Sequence, residues 1–287
     1  MLTSKNRIKK ILDFETPDRV GLMDMFWDET RAAWGETLQT TPEEFFDFDI
    51  RLFDLEKKIT KKRLDTFFSP ALEDRFLALS FSEPFQKYAD KVGLQNALED
   101  VAKDPKRLFR AFKKDLDTTL TRAVGILDKG YRFDGLWLFG DLAHQRGPFF
   151  SEEFYRRYLF PFHKEISYFF ASYGVPTILH SDGNITDFIP YLIEAGFRAL
   201  HPLQASAGLD AAALKREYKN EIVLCGNIDI TLAKTAGSAG KDRLIERVHS
   251  CKEGGAYIFG LDGPVGPDIG LEEYKLIQEI VKEHGKY

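Results

Sequence analysis

Eight short apolar runs, separated by longer stretches of helical period, constrain this chain more than any other feature. They are Val20–Phe26, Phe48–Asp54, Phe76–Ser82, Gly135–Gly140, Pro176–His180, Phe197–His201, Ile222–Gly226 and Ala256–Gly260. Short apolar runs bounded by helical segments read as strands of a parallel sheet, because each strand needs a helical crossover to return the chain. Eight such units favour closure into an α/β (β/α)8 TIM barrel over an open doubly wound sheet, and no GxGxxG follows the first run. The length, 287 residues, suits one barrel, so a single domain over residues 1–287 is expected.

Local signals fill in the helices. Ser151 followed by Glu152 and Glu153 predicts a capped helix start, and Pro161 predicts a kink or split within that helix. A helix over Asn184–Ala195 is expected to stop at Gly196. The charged stretch Glu56 to Asp74 reads as a surface excursion. A hydrophobic fraction of 44% with 25 Phe supplies one large core.

Charge and composition exclude several function classes. A net charge of −5 argues against nucleic-acid binding. No apolar run approaches the ~18 residues that a spanning helix needs, so no membrane partner is expected. The N-terminus, MLTSKNRIKKILDFETPDRV, reads as a charged helix with a broken apolar stripe and no signal-peptide core. Cys225 and Cys251 make neither a metal spacing nor a disulfide framework. A reduced, cytoplasmic chain is the expectation.

In barrel enzymes the active site lies on the loops after the strands. Those positions carry Asp24, Trp27, Asp28 and Glu29; Glu83; Asp141, His144 and Arg146; His180 to Asn184; Gln204; Asn227 and Asp229; and Asp262. Asn184 and Asp229 serve equally well as helix caps. His201 reads as a packing histidine, and His163 and His249, inside helices, as surface residues. His180 differs, because it comes directly off an apolar strand and precedes Ser181-Asp182-Gly183. An imidazole there suits a metal ligand, an acid–base group or a substrate donor.

Several segments together resemble the uroporphyrinogen decarboxylase superfamily, which also holds the cobamide-dependent methyltransferases. They are PDRVGLMDMFWDET, FGDLAHQRGPFFSEEFYRRYLFPFHKEI, ILHSDGNITDFIPYLIEAGFRALHPLQ, VLCGNIDI and EGGAYIFGLDG. The resemblance spans nearly the whole chain, with Glu56–Arg75 shortened, and implies the same barrel. Decarboxylases acting on uroporphyrinogen carry an Arg-rich segment resembling RQAGR. Here MDMFWDET stands in its place, and Asp28 and Glu29 would repel that polycarboxylate. Thiol-methylating relatives bind zinc through His-x-Cys and a later Cys. Here His180 matches the His, whereas Asp182 and Asp262 replace the cysteines and Gln204 falls near an acidic position of some relatives. Oxygen donors thus replace soft thiolates, against zinc and against a thiol acceptor.

The resemblance therefore implies a methyltransferase. It would move a methyl group from a small O- or N-methyl substrate to a corrinoid on a partner protein. His180 and Asp262 would polarise or protonate the leaving atom, and Asp141 would orient His180. Trp27, Asp28, Glu83, His144, Arg146, Gln204 and Asn227 would bind substrate, with Phe26 and Trp27 stacking on a ring. A metal would use His180, Asp182 and Asp262. A homodimer is a further expectation. The rival readings are a decarboxylase of a small carboxylate, with Arg146 and Arg19 or Arg198 as clamp, and a non-catalytic barrel partner subunit.

Overall fold

The structure, a computed structural model, describes residues 2–235 and 240–287. The strands, in chain order, are β1 (Gly21–Leu22), β2 (Ile50–Asp54), β3 (Phe76–Ser82), β4 (Gly135–Phe139) and β5 (Ala143–His144). They continue with β6 (Gly147–Pro148), β7 (Thr177–His180), β8 (Ala199–His201), β9 (Val223–Cys225) and β10 (Tyr257–Phe259). Helices α1 to α7 are Ser4–Leu12, Asp28–Leu38, Pro42–Phe45, Lys61–Phe67, Pro84–Val92, Leu94–Lys103 and Pro105–Leu127. Helices α8 to α14 are Glu152–Phe154, Phe160–Ala171, Ile189–Glu194, Ala211–Tyr218, Ile230–Thr235, Gly240–Lys252 and Leu271–His284. A strand formed in each of the eight apolar runs, most of them shorter than the run. Hydrogen bonding orders them β1-β10-β9-β8-β7-β4-β3-β2, with helices alternating along the chain. This is the connectivity of TIM-barrel-like folds.

Two compact units make up the chain: Met1–Arg51 with His201–Tyr287, and Leu52–Leu200. In the second unit, β3 pairs with β4 and β4 with β7, both parallel, and Phe139 stands opposite His180. These strands are apolar on both faces because both faces are buried. Ala78, Leu79, Leu136, Trp137, Ile178 and Leu179 are all fully buried. Glycine is required at 135, where an added Cβ would lie 2.6 Å from the Phe76 ring. Helix starts follow side-chain chemistry. Glu83 caps α5, Asp104 caps α7 and Ser151 caps α8, each accepting a backbone N–H three residues on.

The disturbance predicted at Pro161 takes an unexpected form. A π-helical turn, Tyr155–Leu159, separates α8 from α9, and Pro161 lies in the first turn of α9. Proline cannot donate to the carbonyl four residues earlier, so the ladder widens before it instead of breaking. The hairpin β5–β6, antiparallel in the loop after β4, had no sequence signal. The helix expected over Asn184–Ala195 is a 3-10 turn, Thr186–Phe188, followed by α10, and it stops at Gly196 with φ +93°.

In the first unit, β1 pairs with β10 and β10 with β9, again parallel. Ile8, Ile11 and Leu12 of α1 are buried, so the broken N-terminal stripe is a packing face. Below it lies a buried ion network. Arg7 donates to Asp18 at 2.7 Å and to Asp49 at 2.8 Å, and Arg19 donates to Asp49 at 2.8 Å. Asp49 also accepts from Leu22 N–H, which ties the chain just before β2 to β1. No described helix is long and apolar enough to cross a membrane.

Candidate functional site

The second unit gathers three sequence-predicted residues at the C-terminal ends of β4 and β7. Register places Phe139 beside His180, so Asp141 and Asp182, each two residues on, also come together. Asp182 N–H donates to Asp141 Oδ1 at 2.9 Å, and Gly140 N–H donates to His180 O at 2.9 Å. Asp141 is held from the other side, where its N–H donates to Gln86 Oε1 at 3.2 Å. One ring nitrogen of His180 and one oxygen each of Asp141 and Asp182 lie within 4.8 Å of one another. His180 Nε2 stands 3.9 Å from Asp182 Oδ1.

Burial sets the electrostatics. Desolvation pushes the His180 pKa down to about 4, only partly opposed by the negative Asp141. The imidazole is therefore neutral at physiological pH, which is the form that ligates a metal. One nitrogen and two carboxylate oxygens make a hard donor set, suited to a divalent cation without thiolate help. The two cysteines lie outside this unit, both buried, and burial raises both thiols. Zinc–thiolate chemistry does not fit.

The hairpin β5–β6 covers the turn that carries Asp182. Gly183, at φ +81°, lets Ala143 approach, since an added Cβ would lie 2.5 Å from the Ala143 carbonyl. Asn184 N–H donates to His144 O at 2.9 Å. His144 and Arg146 occupy the hairpin tip and are exposed. Arg146 N–H donates to His144 Nδ1 at 3.2 Å, and the Arg146 guanidinium has no acidic partner among the described residues.

Other predicted residues have different work. Glu83 is fully buried; Oε2 caps α5 and Oε1 meets His163 Nε2 at 3.1 Å. His163, expected on the surface, is also fully buried, and its Nδ1 meets the Tyr155 hydroxyl at 2.9 Å. Gly140 lies against Glu83, leaving no room for a Cβ. The buried chain Tyr155–His163–Glu83 thus braces the β3 and β4 ends beside Asp141. His163 and Tyr155 were missed as partners, yet His163 falls in the apolar stripe Leu159, Phe162, Ile166, Phe170, where a surface histidine would not.

In the first unit, Asn227 is buried, with Nδ2 on Leu203 O and Leu209 O and Oδ1 accepting from Ala211 N–H. Asp262 is buried too, and its two oxygens accept from Ser206 and Ile230 N–H. Both hold loops through these bonds, at positions where the sequence suggested substrate-binding, catalytic and metal-ligating residues. Phe26 is correspondingly packed among Trp34, Phe48 and Tyr274, not free to stack on a substrate. Trp27, 55% exposed, and Asp28 begin α2 at the surface. Gln204 is half-buried and starts a 3-10 turn over Ala205–Ala207. Asn184 and Asp229 cap their following turns. His201 is buried at the end of β8, while His249 is exposed as expected.

The arginines proposed as a carboxylate clamp also resolve. Arg19 is committed to Asp49 and the Val20 carbonyl. Arg198 precedes β8, at the N-terminal end of that strand, whereas the Asp141–His180–Asp182 cluster follows C-terminal strand ends.

The fold matches a methyltransferase from Methanosarcina mazei with TM-score 0.74 at 15% identity, covering 99% of each chain. A probable 3-DHS dehydratase from Bacillus anthracis aligns over 80% of this chain and 97% of its own at TM-score 0.37 and 12% identity, too distant in shape to argue from. No curated protein matches the sequence. The family model described as uroporphyrinogen decarboxylase (URO-D) matches residues 81–284, which include β3, β4, β7 and the Asp141–His180–Asp182 cluster. The chain belongs to the uroporphyrinogen decarboxylase family.

Proposed function

We propose that this protein is a methyltransferase that moves a methyl group from a small O- or N-methyl compound to a corrinoid carried by a partner protein. The observation that carries the reading is the convergence of one neutral imidazole and two carboxylates at the ends of β4 and β7. Cleaving an O- or N-methyl bond requires an electrophile on the leaving atom. A proton on His180 is a poor candidate, because an acid with a pKa of about 4 is largely deprotonated near neutrality. Asp141, His180 and Asp182 instead suit a divalent cation, which when bound supplies Lewis-acid polarisation of that atom. Asp141 takes the orienting role, fixed by Asp182 N–H and Gln86. Arg146, exposed on the hairpin, binds the substrate's polar end. The reaction class is borrowed from the methyltransferase sharing this fold.

The test supplies cob(I)alamin with methoxyarenes and methylamines and follows methylcobalamin formation by absorbance. Transfer from at least one donor, lowered 100-fold or more in His180→Ala, is expected. Absence of transfer from every donor contradicts the proposal. The decarboxylase reading predicts carbon dioxide release without corrinoid, but it has lost Arg19 from its clamp.

A further inference from the structure

A cavity lies between the first turns of α7 and the π-helical turn of the same unit. It measures about 330 Å³ and is lined by Lys106, Phe109, Arg110, Arg157 and Tyr158. Helices α7 and α9 run side by side in the same direction. Phe109 meets Phe162 at 4.8 Å and Lys113 meets Glu165 at 3.0 Å, so the lining residues come from the early turns of both helical segments. Arg157 and Tyr158 belong to the π-helical turn.

The charge here is one-sided. Neighbouring cations are matched: Arg107 faces Asp100, Lys113 faces Asp117 and Glu165, and Arg156 faces Glu152. Lys106, Arg110 and Arg157 have no acidic partner among the described residues. Three like charges around one cavity repel, and an anion relieves that repulsion. Two aromatic rings share the cavity. Phe109 is 36% exposed, and its ring meets that of Tyr158 at 6.4 Å and 72°, forming a corner open to a flat ligand. The Arg157 guanidinium lies over the Tyr158 ring, 5.4 Å from its centroid.

We propose that this cavity binds a phosphate ester of an aromatic ring system, of which a nucleoside monophosphate is the simplest form. Two arginines and a lysine match a doubly charged phosphate, the arginines by bidentate hydrogen bonding. Phe109 and Tyr158 supply the stacking surface for the ring. The proposal stands apart from the methyl-transfer reading and uses none of its residues.

The test titrates the full chain with AMP, adenosine and inorganic phosphate by calorimetry. AMP is expected to bind at least tenfold more tightly than either fragment. Arg110→Ala and Arg157→Ala should each weaken AMP roughly tenfold or more, while Lys129→Ala, an exposed cation elsewhere, leaves it unchanged. Should Arg157→Ala alter the melting temperature, Lys106→Gln with Arg110→Gln on α7 replaces it. No AMP binding, equal affinity for AMP and phosphate, or affinity indifferent to these substitutions overturns the proposal.

Discussion

At the scale of single residues, a strand-end polar group can face outward to a ligand or inward to brace a loop. Asp141, His180 and Asp182 come together because they follow two neighbouring parallel strands. Glu83, Asn227 and Asp262 showed the same signal and turned inward, since backbone N–H groups at strand ends also need acceptors. Spacing alone does not separate the two fates. His180 carries a direct pH prediction. Its depressed pKa means that the unfolded chain binds the proton more readily than the folded one. Its contribution to stability is full above the ordinary value of 6.5 and is lost as pH falls towards 4. Imidazole NMR should show its resonance titrating near 4; a midpoint near 6.5 contradicts its burial. Asp24 provides the opposite sign. Burial raises this carboxyl to about 7, against a Tyr274 hydroxyl bond. Its contribution is full below about 4 and lost as pH rises through 7. Urea unfolding of Asp24→Asn should show a flatter stability profile across neutrality; an unaltered slope contradicts this.

At the scale of elements, the eight strands were readable because buried parallel strands must be apolar on both faces. Their ends shifted by one or two residues in most runs. The hairpin β5–β6 has two residues per strand, too few to show alternation. The π turn was half-legible, as Pro161 marked a disturbance whose form depends on how Tyr155 and His163 pack. The prediction here concerns Gly140, whose Cβ position lies 2.3 Å from Glu83 Cβ. Gly140→Ala should force Glu83 off His163 and cost about 1–3 kcal/mol. Thermal unfolding measures it, and an unchanged melting temperature would remove Glu83–His163 as a brace of the β4 end.

At the scale of the whole molecule, the family and the parallel β/α pattern were legible in the sequence. The ion network of Arg7, Asp18, Arg19 and Asp49 was hidden, because nothing in the N-terminal stripe distinguishes a buried arginine from a solvated one. Asp49→Ala removes one of the two carboxylates that meet buried Arg7 and the one that meets Arg19, an expected loss of about 1.5–3 kcal/mol by denaturant titration. Arg7 holds the Asp18 carboxyl down to about 2, so its contribution is lost as pH falls from about 4 towards 2. The proposed activity requires Asp141, His180 and Asp182 to act as one centre. Titration of the protein with Co(II), followed by its visible absorption, tests this most directly. One ion per chain is expected, with binding abolished in His180→Ala and weakened at least tenfold in Asp141→Asn and Asp182→Asn. No saturable binding, or binding indifferent to all three substitutions, would contradict it.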